Sequence, residues 1–350
     1  MSSSIPIMSK DPFFSTPLGA FSREKFAALL KVREAALDGL RRCLKGRGYS
    51  EVTVATLVNV AGSCESPYSS FTLPYYGRAA HLSQSAQLQL EALVIRLGRG
   101  FFTVNSSFRE EHFEDPEAAG RRLSEFTLVE PERPFPGLSA VAALEELIGE
   151  IEGVVKSALA DVLKEASDEV VLLGGNIGNL QAAVAAPFCR VSYEEALRLL
   201  NSKGLGPYTF GDDLGIREER VILAHFDNTP TFLTRYPAHL KFFNIKRTAD
   251  ERLALSVDLL APRLGETVGG AVREQDGVVI KRQLMQSNIA RYAQEKGFGA
   301  VAPFQQYFDL FADGTAPLRA GYGVGFERFV AFVLGCNDIL QTVAYRVMQP

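Results

Sequence analysis

The stretch GYGVGFERFV, residues 321–330, sets three glycines at alternating positions directly ahead of a charged pair, Glu327 and Arg328. Successive side chains of a strand point to opposite faces, so Gly321, Gly323 and Gly325 leave one face bare. The segment reads as a strand whose backbone something approaches closely, followed by a helix that starts after Gly325. Its spacing excludes two nucleotide loops. A dinucleotide turn needs G-x-G-x-x-G with an acidic residue about 20 positions on, and a P-loop needs G-x-x-x-x-G-K-[ST]; the chain has neither. Two readings remain: tight strand–helix packing with a capping glutamate, or a nucleotide site of another kind.

The rest of the chain interleaves strands and helices without regular βαβ alternation, which predicts an α+β fold. Residues 1–21, rich in Ser and Pro, read as a loose lead-in. A helix is expected from a Ser22 cap to Gly46, with Leu29, Leu37, Leu40 and Leu44 on one face. EVTVATLV (51–58) reads as a strand. A short strand and a helix entered near Ser83–Ser85 follow over 78–98. Residues 99–112 and 121–132 predict a hairpin with a long connection, with Arg109 and Glu111 on one face. Helices are expected over 138–168 and 192–203, with a connecting segment between them that includes 182–186. Residues 136–225 read as a helical insertion in a catalytic domain spanning 22–350. Extended segments return at 230–247, 254–260 and 267–281, before a polar helix at 282–297.

Composition supplies exclusions. With 47% hydrophobic and 22% charged residues and a net charge of −4, the chain has no global basic field for nonspecific nucleic-acid binding. Its four cysteines form no CxxC pair, and the four histidines (His81, His112, His225, His239) show no ligand spacing. No apolar run reaches the roughly 18 residues of a membrane span. A soluble, cytoplasmic protein that does not engage membranes is expected.

Charged residues in apolar settings mark the candidate site. Arg109 lies on a hairpin of FFTV and FTLV character, and Arg121 and Arg122 follow across the connection. With Arg328 they offer guanidinium forks to a triphosphate. Asp258 and Glu266, in SVDLLAPRLGETVGG, can hold Mg²⁺ beside phosphate oxygens.

In this order the segments resemble the three signature motifs of class II aminoacyl-tRNA synthetases, in the aspartyl/asparaginyl group. KVREAALDGLRRCLKGRGYSEV is similar to motif 1, FREEH…RRLSEF to motif 2 and GYGVGFER to motif 3. SCE (63–65), QSAQLQLE (84–91), VEPE (129–132), GDDLG (211–215) and DLLAPRLGETVGGAVRE (258–274) extend the likeness over about 25–346. The resemblance implies an antiparallel sheet flanked by helices, a homodimer formed through motif 1, and ATP with Mg²⁺ as cofactors. It implies that an amino acid is activated as its adenylate. By position, Arg109 and Arg328 would be the catalytic residues, on the α- and γ-phosphates. Glu111 and Phe126 would meet the adenine, Arg121, Arg122 and Gly325 would complete the ATP site, and Asp258 with Glu266 would hold the metal. The motif 3 glycines would let the strand lie against the adenosine.

For the amino acid, Glu65, Ser85 and Gln87 match positions that hold the α-ammonium, and Arg273 the one that reads the side-chain oxygen. Leu90 stands where aspartyl enzymes carry Lys, and Glu130 where asparaginyl enzymes carry Glu. Both lean toward asparagine, because a carboxylate accepts from an amide but repels a second carboxylate.

Departures are Ala55 for a motif 1 Pro, Arg122 for the motif 2 His, Arg319 for the His before motif 3, Arg235 for an Asp, and Leu340 for an Arg. About two dozen residues precede motif 1, too few for an anticodon-reading OB-fold. These features favour activation of aspartate, asparagine or a related amino acid with transfer of the acyl group to a non-tRNA acceptor such as ammonia or an amine. The alternatives are a truncated asparaginyl- or aspartyl-tRNA ligase and a catalytically silent nucleotide-binding regulator.

Overall fold

The computed structural model describes residues 22–60, 66–111 and 120–344. Its strands are β1 (Ser50–Glu51), β2 (Leu57–Val58), β3 (Thr72–Tyr75), β4 (Arg78–Leu82), β5 (Phe101–Phe108), β6 (Glu125–Pro134), β7 (Cys189–Ser192), β8 (Thr231–Thr234), β9 (Ser256–Ala261), β10 (Gly265–Arg273) and β11 (Arg319–Gly325). The helices are α1 (Arg23–Gly46), α2 (Gln87–Leu97), α3 (Ala140–Glu165), α4 (Ser167–Leu172), α5 (Ile177–Ala185), α6 (Tyr193–Ser202), α7 (Ile216–His225), α8 (Gly277–Met285), α9 (Asn288–Glu295), α10 (Gln305–Phe308) and α11 (Phe326–Leu334).

One eight-stranded sheet, ordered β1-β5-β6-β11-β10-β9-β8-β7, carries the molecule. Its six central strands are antiparallel, and β1 and β7 add parallel edges. This is the α+β arrangement of an antiparallel sheet flanked by helices that the sequence predicts. Strand alternation divides the sheet into two faces. Val129, Val268 and Val272 point to a core shared with Leu40 of α1 and Leu147 and Ile151 of α3. Leu128, Glu130, Glu132, Gly269 and Arg273 point to the opposite side, where a cavity opens.

Helix α1 begins at Ser22, whose hydroxyl accepts from the Lys25 amide at 3.3 Å. Its buried stripe of Leu29, Val32, Ala36, Leu40 and Leu44 presses on the core. Residues 136–225 place α3 in that core and β7 in the main sheet, while α6 and α7 close a smaller cluster around Tyr193, Leu200 and Leu223.

Five local expectations need correction. Residues 51–58 are not one strand: β1 pairs with β5, and β2 joins a separate three-stranded sheet. Between them the Gln89 side chain pairs with both backbone groups of Ala55, at 3.0 and 2.9 Å, as a neighbouring strand would. Residues 177–185 are helical, because Asn176 caps them by accepting from Asn179 N at 3.1 Å. The run 267–281 stops as a strand at Arg273. There Asp276 caps α8 through Val278 N and Val279 N, overriding the β-branched residues that follow. Of 230–247, only β8 is a strand, and the polar helix expected over 282–297 is divided into α8 and α9. Among the described residues no helix is long and apolar enough to cross a membrane.

Candidate active site

A cavity of about 580 Å³ lies on the open face of the sheet, covered from the side by α7. Every predicted site residue in the described segments lines it: Ser85, Gln87, Arg109, Glu111, Arg121, Arg122, Phe126, Glu130, Asp258, Glu266, Arg273, Gly325 and Arg328. Glu65 lies outside the described residues. Residues as far apart in the chain as Ser85 and Arg328 therefore meet in one space.

At one end arginines gather. Arg109 leaves β5 with its guanidinium 5.4 Å from the Phe126 ring centre and 3.7 Å from Glu111. Arg122 donates to the other Glu111 oxygen at 3.0 Å. Arg121 donates to the Leu264 carbonyl at 3.1 Å, and Arg328, one turn into α11, to the Glu266 carbonyl at 2.6 Å. Burial and the nearby Arg328 charge push the Arg121 pKa down to about 10. Like charges are thus crowded where a polyanion would relieve them.

Beside them sit the acids. A bulge in β10 shifts register between Glu266 and Val268. Asp258 and Glu266 converge as a result: a Cβ built on Gly269 would be 3.0 Å from Glu266 Oε1 and 3.6 Å from Asp258 Oδ1. Lys241 donates to the other Asp258 oxygen at 2.6 Å. Burial raises the Asp258 pKa to about 6, held back by Lys241 and pushed further by Glu266. Glu219 accepts from Glu266 N at 3.1 Å, and burial together with Glu266 raises it to about 7. Two hard oxygen donors over a glycine suit a magnesium ion whose remaining ligands are water and phosphate oxygens.

The other end is enclosed. Glu130 accepts from the Ser85 hydroxyl and, at 2.9 Å, from Ala86 N; burial raises its pKa despite these donors. Arg273 clamps Glu132 through Nε at 3.2 and 3.3 Å and Nη2 at 3.0 Å. Gln87 donates to Glu91 at 2.8 Å and to Asn244 at 3.2 Å. Leu90, Phe242, Ile245 and Ala271 provide apolar walls.

The motif 3 glycines divide between two tasks. A Cβ on Gly321 would collide with the Glu132 carboxylate, so the crowding there is internal to the protein; Gly323 and Gly325 line the cavity. Glu327 does not cap its own helix. It accepts from Arg33 at 3.1 Å and from Thr127 N at 2.8 Å, tying α11 to α1 and β6.

Sequence reasoning missed Lys241, Glu219, Asn244 and Tyr307. Glu91 and Glu132 stand within the QSAQLQLE and VEPE segments without a role of their own there, although the i, i+4 spacing of Gln87 and Glu91 puts both on one helix face. No local signal marks Lys241, which follows an apolar turn.

Residues 16–349 match the family described as tRNA synthetases class II (D, K and N). The chain is 32% identical over 331 residues to an asparagine–tRNA ligase of Sorangium cellulosum, covering 91% of this chain and 68% of that protein. It is 34% identical over 317 residues to one of Pyrococcus horikoshii, covering 90% and 67%. The structure of the P. horikoshii asparaginyl-tRNA synthetase complexed with asparaginyl-adenylate superposes with a TM-score of 0.79 at 32% identity, over 92% of this chain and 69% of that one.

Proposed function

The chain belongs to the class II tRNA synthetases of the D, K and N group, and on that premise we propose that it activates asparagine with ATP and passes the asparaginyl group to tRNA. The observation that carries this reading is the joining, in one cavity, of an arginine-rich end to an end built around Glu130 and Arg273. Arg273 presents donors to a side-chain oxygen. Glu130, a carboxylate, accepts from an amide NH₂ and disfavours aspartate by charge. Ser85 and Gln87 hold the α-ammonium.

In the reaction the substrate α-carboxylate oxygen bonds to the α-phosphorus of ATP while the bond to the pyrophosphate oxygen breaks. The nucleophile is already anionic, so no general base is required. Arg109 holds the carboxylate and the α-phosphate in line, with Phe126 beneath the adenine. Arg328 and Arg121 neutralise the departing pyrophosphate, and Glu111, held by Arg122, faces the adenine. When bound between Asp258 and Glu266, Mg²⁺ supplies further positive charge to phosphate oxygens. By family precedent α1 and β1 would form a homodimer interface, which light scattering in solution tests.

The sequence departures first favoured a small acceptor. In the structure the three arginines among them are engaged within the protein: Arg319 with Glu91, Arg122 with Glu111, and Arg235 with Glu145 at 4.0 Å. They leave no new acceptor site to account for, and the relatives named above favour tRNA. The test is asparagine-dependent ATP–pyrophosphate exchange, followed by transfer of labelled asparagine to tRNA or to ammonia. Exchange without charging, accompanied by amide formation, would reverse the choice of acceptor. Absence of exchange with every amino acid would leave a silent nucleotide-binding protein.

A further inference from the structure

Behind the amino-acid end lies a polar cluster of Arg319, Glu91, Tyr307 and Asn244 that does not line the cavity and meets it through Gln87. Arg319 of β11 and Glu91 of α2 are both fully buried. Arg319 donates to Glu91 Oε2 from Nε at 2.8 Å and from Nη2 at 2.5 Å, and the Tyr307 hydroxyl donates to the same oxygen at 2.9 Å. The Arg319 guanidinium also lies 5.1 Å from the Phe311 ring centre. Glu91 Oε1 accepts from Asn244 Nδ2 at 2.5 Å and from Gln87 Nε2 at 2.8 Å.

The polarity of this chain of contacts is fixed by chemistry. A carboxylate only accepts, so the Gln87 amide must turn its nitrogen toward Glu91. Asn244 Oδ1 takes a second hydrogen from that nitrogen at 3.2 Å. With two amide hydrogens directed inward, the polarity Gln87 brings to the cavity is that of a carbonyl oxygen, which suits an ammonium group. A buried carboxylate is tolerated only when paired and fully hydrogen-bonded; Arg319 supplies the close pairing of Glu91, with Arg273 Nε farther away at 4.0 Å.

We propose that Arg319 is a positioning residue for substrate selection: through Glu91 it fixes the orientation of the Gln87 amide, and thereby the recognition of the α-ammonium. The inference rests on the amino-acid-activating reading above. It also gives the Arg that replaces the family histidine a role at the substrate, although it touches none.

The experiment compares asparagine with succinamic acid, the same molecule without its α-amino group. For the intact protein the ratio of the succinamic acid inhibition constant to the asparagine KM is measured in ATP–pyrophosphate exchange, beside the KM for ATP and the melting temperature. The double variant Arg319→Met with Glu91→Gln replaces the ion pair by neutral groups of similar volume, a change that buried ion pairs often tolerate. Its ratio is expected to fall by about tenfold, the scale of one mispaired buried hydrogen bond, with the KM for ATP unchanged. Arg319→Lys, which keeps the charge, should retain most of the ratio. If that double variant does not fold, Arg319→Leu with Glu91→Gln, which also removes both charges, serves instead, and the same fall is expected. A folded variant with an altered melting temperature and an unaltered ratio would show a merely structural pair and overturn the relay. No exchange by the wild-type protein with any amino acid would overturn the activation reading and the relay together.

Discussion

At the amino-acid end of the cavity the charges are joined in close, buried contacts, whereas at the phosphate end the arginines are partly exposed and their acid partners lie farther off. Arg319 is 0% exposed and doubly bonded to Glu91, and Arg273 is clamped by three contacts to Glu132. Across the cavity, Arg328 and Arg109 are 22% and 23% exposed. Arg328 is held through a backbone carbonyl and a distant Glu266 carboxylate rather than a close acid partner. One end is preorganised for a single small shape. The other gathers arginines whose charge a triphosphate would neutralise; burial first, and then the Arg328 charge, depresses the Arg121 pKa.

The largest expected break of this contrast is Arg328→Ala. If the phosphate end serves the ligand rather than the fold, exchange falls by about 10²- to 10³-fold while the melting temperature is unchanged. Loss of folding would place Arg328 with the structural charges. Lys241→Met comes next, because it removes the cation beside Asp258 and leaves that acid with Glu266 and Glu219. A broken buried pair costs about 3 kcal/mol, and added Mg²⁺ should restore much of it; calorimetric melts with and without the metal measure both.

At the other end, Glu130→Gln keeps the shape and removes the charge. The preference for asparagine over aspartate should shrink by about 10²-fold, read as the ratio of kcat/KM values; an unchanged ratio would assign discrimination elsewhere. The smallest effect is that of pH on the ligand-free protein. Burial raises the Glu219 pKa to about 7, so its contribution to stability is complete below the ordinary carboxylate range and is lost as pH rises through 7. Between pH 6 and 8 the wild type should lose about 1 kcal/mol more than Glu219→Gln, compared by denaturant titration at each pH.

The same contrast governs what the sequence discloses. The strand-to-helix boundary after Gly325, the Ser22 cap and the hairpin carrying Arg109 rest on local chemistry, and each was legible. So were the lining residues that sit in contiguous motifs, though not Lys241 or Glu219. The pairing of Arg319 with Glu91 spans 228 positions and no local pattern foretells it. Nor does spacing reveal that a bulge in β10 brings Asp258 and Glu266 together, or that Lys241 stands between acids. Residues 177–185 were misread because glycines at 174, 175 and 178 hid the Asn176 cap. Capping and long-range pairing, rather than propensity, decided those places.

Gly321 has a bearing on how this protein could diverge. Its bare backbone accommodates Glu132, and Glu132 anchors Arg273. A glycine within the segment associated with nucleotide therefore restrains the residue proposed to read the amino acid. The two specificities cannot drift separately. A library aimed at new amino-acid substrates would have to vary positions 321, 132 and 273 as a set, and single replacements of the glycine should disappear from it even where ATP is still bound.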